Sequence, residues 1–335
     1  MITLSLVICT KDRPTQLRRC LESVLGQTCP PDEIVIVDAS IDDKSLSVVK
    51  EMRRKKRSPR FLYTHTYPGT ARQRNIGFEM ANAYVVGSVD DDTILDKEAL
   101  RIIKEVFNKG NTDLGGVMPR LIDPKDRRQS IWSLKSLYKR IFMLSHNFAK
   151  HVFIQASGFP AFPFQRQEIT EPQEAEVLNG LYFYKKEVVK NYKFNEGFHG
   201  YSFMEDVEFA YRVSKNFKLL YVPSARIMHL HVPTSRSSYF ETYKQIVENH
   251  HYFFLHAIEG TFVNWLAFYW SHIGLLISAL SKKNALGRGG SLSGVLSGFR
   301  AILRLQRIKR YQQSVRLSTK SYKNEKFNAK AALSD

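Results

Sequence analysis

Three consecutive carboxylates, Asp90, Asp91 and Asp92, form the part of the sequence best suited to chemistry. They stand at the end of an apolar run, residues 85–90, whose composition predicts a buried strand. Adjacent carboxylates repel one another, so such a cluster is unfavourable unless a cation neutralises it. Carboxylate oxygens are ligands that Mg²⁺ and Mn²⁺ prefer. We therefore expect a divalent metal here; the alternative is an acidic turn before a helix.

A second acidic group comprises Glu205, Asp206 and Glu208 at the start of a predicted helix, residues 204–216. On a helix Glu205 and Glu208 share one face, whereas Asp206 points toward the N-terminal end, whose dipole stabilises negative charge. An ionised carboxylate can accept a proton from an attacking hydroxyl group. Asp206 is therefore a candidate general base; the alternative is a helix with acidic residues in its first turn and no catalytic role.

Two histidines, His229 and His231, follow a strand-like run. Side chains two residues apart on a strand point to the same face, so both could reach one ion. We prefer His229 as a metal ligand together with the aspartate cluster. The alternative is that both histidines have ordinary packing roles.

The elements that must position these residues alternate between strands and helices, which is typical of an α/β protein with a mostly parallel sheet. The predicted strands are residues 4–9, 33–38, 61–65, 85–90 and 114–119. Helices are expected to start near Thr15, Lys44, Thr70 and Asp96. The strands are continuous apolar runs, so we expect the sheet to be buried on both faces.

The second half of the chain is less regular. Residues 123–174 are basic, aromatic and proline-containing, and such a long irregular segment predicts a functional loop or lid. Regular structure is expected to resume with a strand at 177–184, the helix at 204–216, and two strands at 218–222 and 226–230.

The composition limits the possible partners and compartments. The 335 residues suffice for a large folded core, and the net charge of +18 favours nucleic acid, an acidic lipid surface or a phosphorylated substrate. Cys9, Cys20 and Cys29 have neither a disulfide pattern nor a zinc spacing, and fit buried thiols in a reducing compartment. The N-terminus lacks the basic region of a signal peptide, so secretion is not expected.

The last third of the chain predicts a membrane-associating device. Residues 262–280 are almost uninterruptedly apolar, and residues 282–330 contain many lysines and arginines with Glu325 as the only acid. We favour an interfacial or re-entrant helix at the cytoplasmic face of the membrane; a full span and a helix packed on the catalytic domain are the alternatives. The predicted units are a catalytic domain at 1–238, an apolar helical segment at 239–281 and a basic tail at 282–335.

Several segments occur in the order of the motifs of a known enzyme family. They are residues 7–14, 33–43, 69–77, 90–92, 178–181 and 205–206. Together with His229 they resemble the family 2 glycosyltransferases with the GT-A fold. The resemblance covers about residues 4–236. It implies a Rossmann-like α/β domain with a mixed, mostly parallel sheet flanked by helices, followed here by a helical C-terminal extension.

The resemblance also implies roles for individual residues. Those implied for the nucleotide sugar are Thr10, Arg13, Asp38, Arg72, Asn75, Asp90, Asp91, Asn179 and Gly180. The implied metal ligands are Asp92, Asp90 and His229, and the implied catalytic residues are Asp206 and Glu205. The sequence departs from the family at Ala39, where a glycine is more usual; the change reduces freedom at the turn but leaves Asp38 in place.

The implied activity is metal-dependent, inverting transfer of a hexose or rhamnose in cell-surface polysaccharide synthesis. The expected cofactor is Mn²⁺ or Mg²⁺, the donor a UDP-, dTDP- or GDP-linked sugar, and the acceptor a glycan or glycolipid. An anionic membrane surface is a further expected partner, and nucleic acid is not. The alternative is an inactive transferase-like scaffold bound to membrane or nucleic acid. A dehydrogenase is disfavoured because no G-x-G-x-x-G follows the first strand.

Overall fold

The structure is a computed structural model that describes residues 2–54, 59–110, 112–123, 131–198, 202–232, 238–282 and 290–303. The first ten elements alternate strands with helices, except that β5 directly follows β4. They are β1 (Leu4–Thr10), α1 (Pro14–Leu25), β2 (Glu33–Asp38), α2 (Lys44–Arg53), β3 (Arg60–His65), α3 (Thr70–Met80), β4 (Val85–Asp90), β5 (Thr93–Leu95), α4 (Ala99–Lys109) and β6 (Leu114–Ile122).

The remaining elements begin with short pieces and end with long helices. They are α5 (Leu134–Ile141), β7 (Phe153–Ile154), β8 (Pro160–Ala161), β9 (Gln173–Glu174), β10 (Tyr182–Lys185), α6 (Lys186–Asn191), α7 (Glu205–Ser214), β11 (Lys218–His229), α8 (Tyr239–Ala257), α9 (Phe262–Leu280) and α10 (Ser291–Leu303).

Within the described residues, nine strands form one mixed sheet in the order β3-β2-β1-β4-β10-β6-β11-β5, with β9 paired to β11. Strands β1, β2, β3 and β4 are parallel, as are β6 and β11, whereas β10 runs antiparallel between β4 and β6. Strands β5 and β9 also run antiparallel to β11. The carboxyl ends of β1, β2 and β4 therefore meet at one edge, where ligands bind in open α/β sheets.

The sheet is covered on both faces, as the apolar strand runs predict. One face packs on α1, α2 and α4, and the other packs on α3, α6, α7 and α8. Helix α3 lies very close to β1, because a Cβ atom at Gly77 would come within 2.2 Å of Val7 Cγ1. The two cores hold the strand ends, and hence the acidic residues, in fixed positions.

The predicted elements of the first 120 residues are confirmed with small shifts, and β5 was missed. Helix α4 begins at Ala99, after the expected start at Asp96. The predicted strand at 177–184 was wrong in its first half, because Gly180 adopts a φ of +72° that breaks the extended backbone. The two strands predicted at 218–222 and 226–230 are one strand, β11, with a register shift between Val222 and Arg226.

The segment expected to be irregular, residues 123–174, contains α5 and three two-residue strands. Its predicted start at Asp123 lies at the end of β6, and residues 124–130 fall outside the described part of the chain. The three cysteines are free; Cys20 is buried as expected, whereas Cys9 and Cys29 are partly buried.

The C-terminal helices form a further layer with its own small core. Helix α10 packs closely on α8, because a Cβ atom at Gly294 would lie 2.3 Å from the Phe240 carbonyl oxygen and one at Gly298 would lie 2.8 Å from Val247 Cβ. Helix α9 is long and apolar enough to cross a membrane, judged by length and composition alone. Of its 18-residue apolar stretch, 39% is buried against the rest of the protein. Most of the predicted basic tail, residues 304–335, lies outside the described residues.

Candidate active site

Two of the three adjacent aspartates converge with a histidine at the carboxyl edge of the sheet. Asp90 ends β4, Asp92 is in the following turn, and His229 ends β11. One ligand atom from each of these side chains lies within 4.8 Å of the others. His229 Nε2 is 2.9 Å from Asp92 Oδ1 and 3.8 Å from Asp90 Oδ2. Two carboxylates and an imidazole suit Mn²⁺ or a similar divalent ion.

The middle aspartate points elsewhere. Asp91 accepts hydrogen bonds from Thr10 Oγ1 at 2.8 Å and Arg13 Nη1 at 3.1 Å, and it is almost fully buried. Arg13 Nη1 also lies 3.8 Å from Asp92 Oδ2. Asp91 thus joins the turn after β4 to the loop after β1, whereas Asp90 and Asp92 face His229.

The predicted residue Asp38 stands at the end of β2 with its carboxylate fully buried. Its oxygens accept hydrogen bonds from Ser40 N–H and Tyr63 O–H, both at 2.8 Å. Ser40 in turn accepts a hydrogen bond from the Asp12 N–H at 2.8 Å. Asp38 therefore shapes the two loops beside the aspartate cluster, and contact with a nucleoside stays a prediction.

Asp206 lies at the start of α7 and is held against the loop that precedes β10. Its Oδ2 accepts a hydrogen bond from the Gly180 N–H at 2.6 Å, and its Oδ1 accepts one from the Val207 N–H at 2.8 Å. Asn179 is half-buried beside Gly180. The structure therefore brings the candidate base and the Asn179–Gly180 pair together.

Arg74 connects the two acidic groups, and the sequence analysis missed it. Its guanidinium pairs with Glu205 and, at 3.3 Å, with Asp90. Arg74 is buried, and it lies 5.4 Å from the centroid of the Tyr182 ring. The signal available was its place two residues after Arg72 on α3, next to Asn75. Only packing distinguishes these two arginines.

Arg72 and Asn75 lie away from the aspartates. Arg72 is exposed and pairs with Glu196 at 3.4 Å. Asn75 exchanges hydrogen bonds with the backbone of Phe194 and donates to Glu196 Oε1 at 3.0 Å. Both side chains thus hold the segment around residues 194–196, and their contact with a donor stays a prediction.

Comparison with known proteins gives a family match for just under half of the chain. Residues 5–165 match the family model described as Glycosyl transferase family 2. This part of the chain is therefore similar to that family.

Two sequence relatives each match part of the chain. A GalNAc(5)-diNAcBac-PP-undecaprenol beta-1,3-glucosyltransferase of Campylobacter jejuni is 24% identical over 203 residues, which are 60% of this chain and 57% of the relative. An uncharacterised glycosyltransferase of Nostoc sp. is 33% identical over 129 residues, which are 37% of this chain and 38% of the relative. The chain thus matches little more than half of the first relative's length and less than half of the second's.

Solved structures resemble most of the chain. Residues 1–349 of TarS of S. aureus, in complex with UDP-GlcNAc, have a TM-score of 0.54 at 15% identity, covering 95% of this chain and 92% of the TarS fragment. The mannosyltransferase PcManGT of Pyrobaculum calidifontis, in complex with GDP-Man and Mn²⁺, has a TM-score of 0.53 at 14% identity, covering 93% and 82%. At such low identity the likeness establishes the fold, which is the GT-A arrangement with a helical C-terminal region.

Acidic groups are concentrated at this sheet edge. Five carboxylates, from Asp90, Asp91, Asp92, Glu205 and Asp206, lie near two guanidiniums, those of Arg13 and Arg74. The excess of negative charge favours a divalent cation. The ligand geometry and the charge are therefore both compatible with a divalent metal beside Asp90, Asp92 and His229.

Burial and pairing set the pKa values of these acids. Burial raises the pKa of Asp91 to about 6, against the opposing effect of Arg13 and Thr10. Burial tends to raise the pKa of Asp92 as well, but the hydrogen bond with His229 outweighs it and leaves this pKa at about 2. Burial also raises the pKa values of Glu205 and Asp206, and Arg74 offsets part of each rise.

Backbone strain gathers in the segments that carry the site. Among the described residues, five non-glycine residues have positive φ, and four of them lie in these segments. They are Asp12 at +54°, Ser202 at +50°, Met204 at +73° and His231 at +48°. Such conformations cost about 1–3 kcal/mol each and persist where surrounding packing enforces them. The surrounding packing therefore holds the start of α7 in an enforced geometry.

A cleft of about 560 Å³ lies elsewhere, between α7, β9 and the start of α9. Its lining includes Tyr211, Lys215 and Asn264 but none of the clustered aspartates. The candidate site is the carboxylate cluster rather than this cleft, because the clustered aspartates have the chemistry that the cleft lining lacks.

Proposed function

We propose that this chain is a metal-dependent, inverting glycosyltransferase that moves a sugar from a nucleoside diphosphate to a hydroxyl group of a lipid-linked glycan. One observation carries the proposal: Arg74 bridges Asp90, which faces His229, and Glu205, which adjoins Asp206. A metal site and a candidate base at a fixed separation are what transfer from a sugar nucleotide requires.

The metal would be held by Asp90, Asp92 and His229, whose ligand atoms converge at the sheet edge. Bound Mn²⁺ or Mg²⁺ supplies charge neutralisation for the departing diphosphate. The complex of PcManGT with GDP-Man and Mn²⁺ supports Mn²⁺, although the identity of the ion is part of the proposal.

The donor would lie along the loops that follow β1, β2 and β4. Thr10 and Arg13 are tied there to Asp91, and Asp38 orients the loop after β2. TarS binds UDP-GlcNAc and PcManGT binds GDP-Man, which supports a nucleotide-sugar donor. Arg72, Asn75, Asn179 and Gly180 complete the proposed donor side. The proposed donor carries a hexose or a rhamnose linked to UDP, dTDP or GDP.

Asp206 would accept the proton of the acceptor hydroxyl while that oxygen forms a bond to the anomeric carbon. The bond from this carbon to the diphosphate oxygen breaks on the opposite face, so the configuration inverts. The diphosphate leaves with the electron pair of that bond, and the proton ends on Asp206. Glu205 would position the base through its pairing with Arg74 rather than take the proton.

The acceptor class comes from the Campylobacter relative, whose name specifies an undecaprenol-linked glycan. A lipid-linked acceptor agrees with the apolar C-terminal helices, and we propose that the protein works at the cytoplasmic membrane face in polysaccharide synthesis. The division into residues 1–238, 239–281 and 282–335 is part of this proposal. The alternative of an inactive scaffold is not favoured, because both acidic groups are intact.

The proposal is tested by thermal unfolding of the full chain with UDP-, dTDP- and GDP-sugars, each with and without Mn²⁺. A ligand that binds only the native state stabilises it and so raises its melting temperature. At a ligand concentration of a hundred times the dissociation constant, the free energy of unfolding rises by about 2.7 kcal/mol. We expect one nucleotide to stabilise the protein only with Mn²⁺, and Asp92→Asn to remove the effect. Absence of stabilisation by every nucleotide would contradict the proposal.

A further inference from the structure

Helix α9 has an unusual distribution of polar and apolar side chains. Its buried face combines apolar residues with polar or small ones, namely Ala267, Phe268, Leu275 and Ala279 with Ser271, His272 and Gly274, whereas its solvent-facing side is apolar along its whole length. The exposed apolar residues are Phe262, Val263, Leu266, Tyr269, Trp270, Ile273, Ile277 and Leu280. A helix on a water-exposed surface normally has the opposite arrangement. The outward face of α9 is therefore unsuited to water, and we expect it to contact an apolar solvent or a partner.

Helix α5 shows the same inversion and lies beside α9. Leu134, Leu137 and Ile141 are exposed at helical spacing, and Leu134 is 86% exposed, whereas Ser136 faces the protein. Trp132, just before this helix, is 77% exposed. The two helices together form a surface, here called the α5–α9 surface, whose outward side chains are mostly large and apolar.

Specific contacts hold α5 against α9. Trp270 Nε1 donates a hydrogen bond to the Ile141 carbonyl oxygen at 2.7 Å, and the Tyr138 hydroxyl donates to the Gly274 carbonyl oxygen. The Phe142 ring stacks on Trp270 with centroids 4.9 Å apart. A Cβ atom at Gly274 would come within 2.5 Å of Phe142 Cβ, so the approach depends on this glycine. The α5–α9 surface is therefore one built unit.

We propose that the α5–α9 surface is a monotopic docking surface for an anionic lipid bilayer. Its apolar side chains would enter the headgroup and acyl boundary, with Tyr269 and Trp270 at the level such rings prefer. Helix α5 also contains Lys135, Lys139 and Arg140 and no acid, which complements anionic headgroups. A second copy of the chain is disfavoured, since a two-fold contact through α5 would bring these cations together.

A series of packed aromatic rings connects the α5–α9 surface to the helix that carries the candidate base. Phe268 of α9 stacks on His250 at 5.2 Å, His250 stacks on Phe159 at 3.7 Å, and Phe159 lies 6.4 Å from Phe203. Phe203 stands two residues before Glu205 at the start of α7. A bilayer under α5 and α9 would thus keep a fixed relation to Asp206. This step rests on the proposed function, because it gives a lipid-linked acceptor its place.

The test is flotation of the purified full chain with vesicles of phosphatidylcholine, with and without phosphatidylglycerol. We expect strong flotation that increases with phosphatidylglycerol. Two double variants, Leu134→Ser with Leu137→Ser and Ile273→Ser with Ile277→Ser, each change only exposed side chains. Each should lower partitioning at least about tenfold, because apolar area no longer leaves water. The matched control is Tyr84→Ser, an exposed aromatic residue at the opposite end of the sheet from Asp90.

Wild-type flotation of both double variants would overturn the proposal. So would a lipid-free dimer that either double variant converts to a monomer, since a second copy would then cover the surface. Transfer to a water-soluble acceptor analogue separates the two proposals. Normal transfer without flotation would contradict the docking surface alone. Flotation that follows the expected pattern without transfer would contradict the proposed function alone.

Discussion

At the scale of single residues, the site separates neighbouring acids by the partners they face. Asp90 and Asp92 face His229, whereas Asp91 holds Thr10 and Arg13. In α7, Asp206 receives the Gly180 N–H, and Glu208 pairs with Arg212 at 2.7 Å. Adjacent residues of one type therefore have different predicted roles, and substitutions can distinguish them.

The sharpest comparison is between Asp206→Asn and Glu208→Gln. Both acids lie in the first turn of α7 and are equally buried, at 9% exposure. Asp206→Asn should lower the turnover number by about 10²–10⁴, the usual effect of removing a general base, with donor binding retained. Glu208→Gln should leave turnover within a few-fold of the wild type. Near wild-type turnover in Asp206→Asn would disprove the assignment of the base.

The pH dependence of kcat/KM should reflect the protonation of the Asp206 carboxylate. Burial raises the pKa of Asp206, while Arg74 and the Gly180 and Val207 N–H groups oppose the rise. A base must be deprotonated, so kcat/KM should fall as pH decreases through this raised pKa. The acid limb should therefore lie above the ordinary aspartate pKa of about 3.9. A pH profile measures this, and the residual activity of Asp206→Asn should lack that limb.

At the scale of elements, the loops between strands and helices position the chemistry. Strand β10 starts only at Tyr182, since the Asn179–Gly180 turn is needed to direct a backbone N–H at Asp206. Helix α7 starts after two residues with positive φ, Ser202 and Met204. These turns disrupt regular structure where the candidate base must be oriented.

Substitutions of Gly180 should reveal this positioning. Its φ is +72°, and a Cβ atom there would contact nothing within 4 Å, so backbone strain is the only direct effect. Gly180→Ala should cost about 1–2 kcal/mol in that conformation and lower turnover by displacing the N–H that binds Asp206. Gly180→Asn should have smaller effects on both stability and turnover, because asparagine tolerates the left-handed backbone region. Denaturant unfolding and turnover measure the two effects; equal losses in both variants would argue against a backbone cause.

At the scale of the whole molecule, a GT-A domain supports a helical layer whose outward surface carries many large apolar side chains. The layer is held by close helix contacts at Gly274, Gly294 and Gly298. The predicted tail boundary at residue 282 places α10 in the tail, yet α10 packs on α8. The layer thus includes residues on both sides of that boundary.

Gly294→Val should separate α10 from α8. The added side chain would meet the Phe240 backbone, since even a Cβ atom would lie 2.3 Å from its carbonyl oxygen. Overpacking of this kind costs about 1–3 kcal/mol, so the melting temperature should fall by several degrees. Hydrogen exchange in α8 should rise at the same time. The control is Gly260→Ala, whose Cβ would meet only the Trp265 ring, at 3.4 Å; similar destabilisation by both variants would contradict the packing argument.

The sequence by itself determined the alternating frame and the order of the motifs, and it predicted most of the candidate site residues. Buried strands need continuous apolar runs, and metal and base chemistry need acids at strand ends and helix starts, so both leave local patterns. Asp90, Asp92, His229 and Asp206 were identified for that reason.

The tertiary structure alone decided which of two similar residues lies at the candidate site. Arg74 rather than Arg72 lies between Asp90 and Glu205, because the packing of α3 on β1 buries one and exposes the other. Likewise, the apolar run of α9 was visible in the sequence, but its outward face depends on which side packs on the protein. Contacts between residues far apart in the chain set these choices, and no local pattern records them.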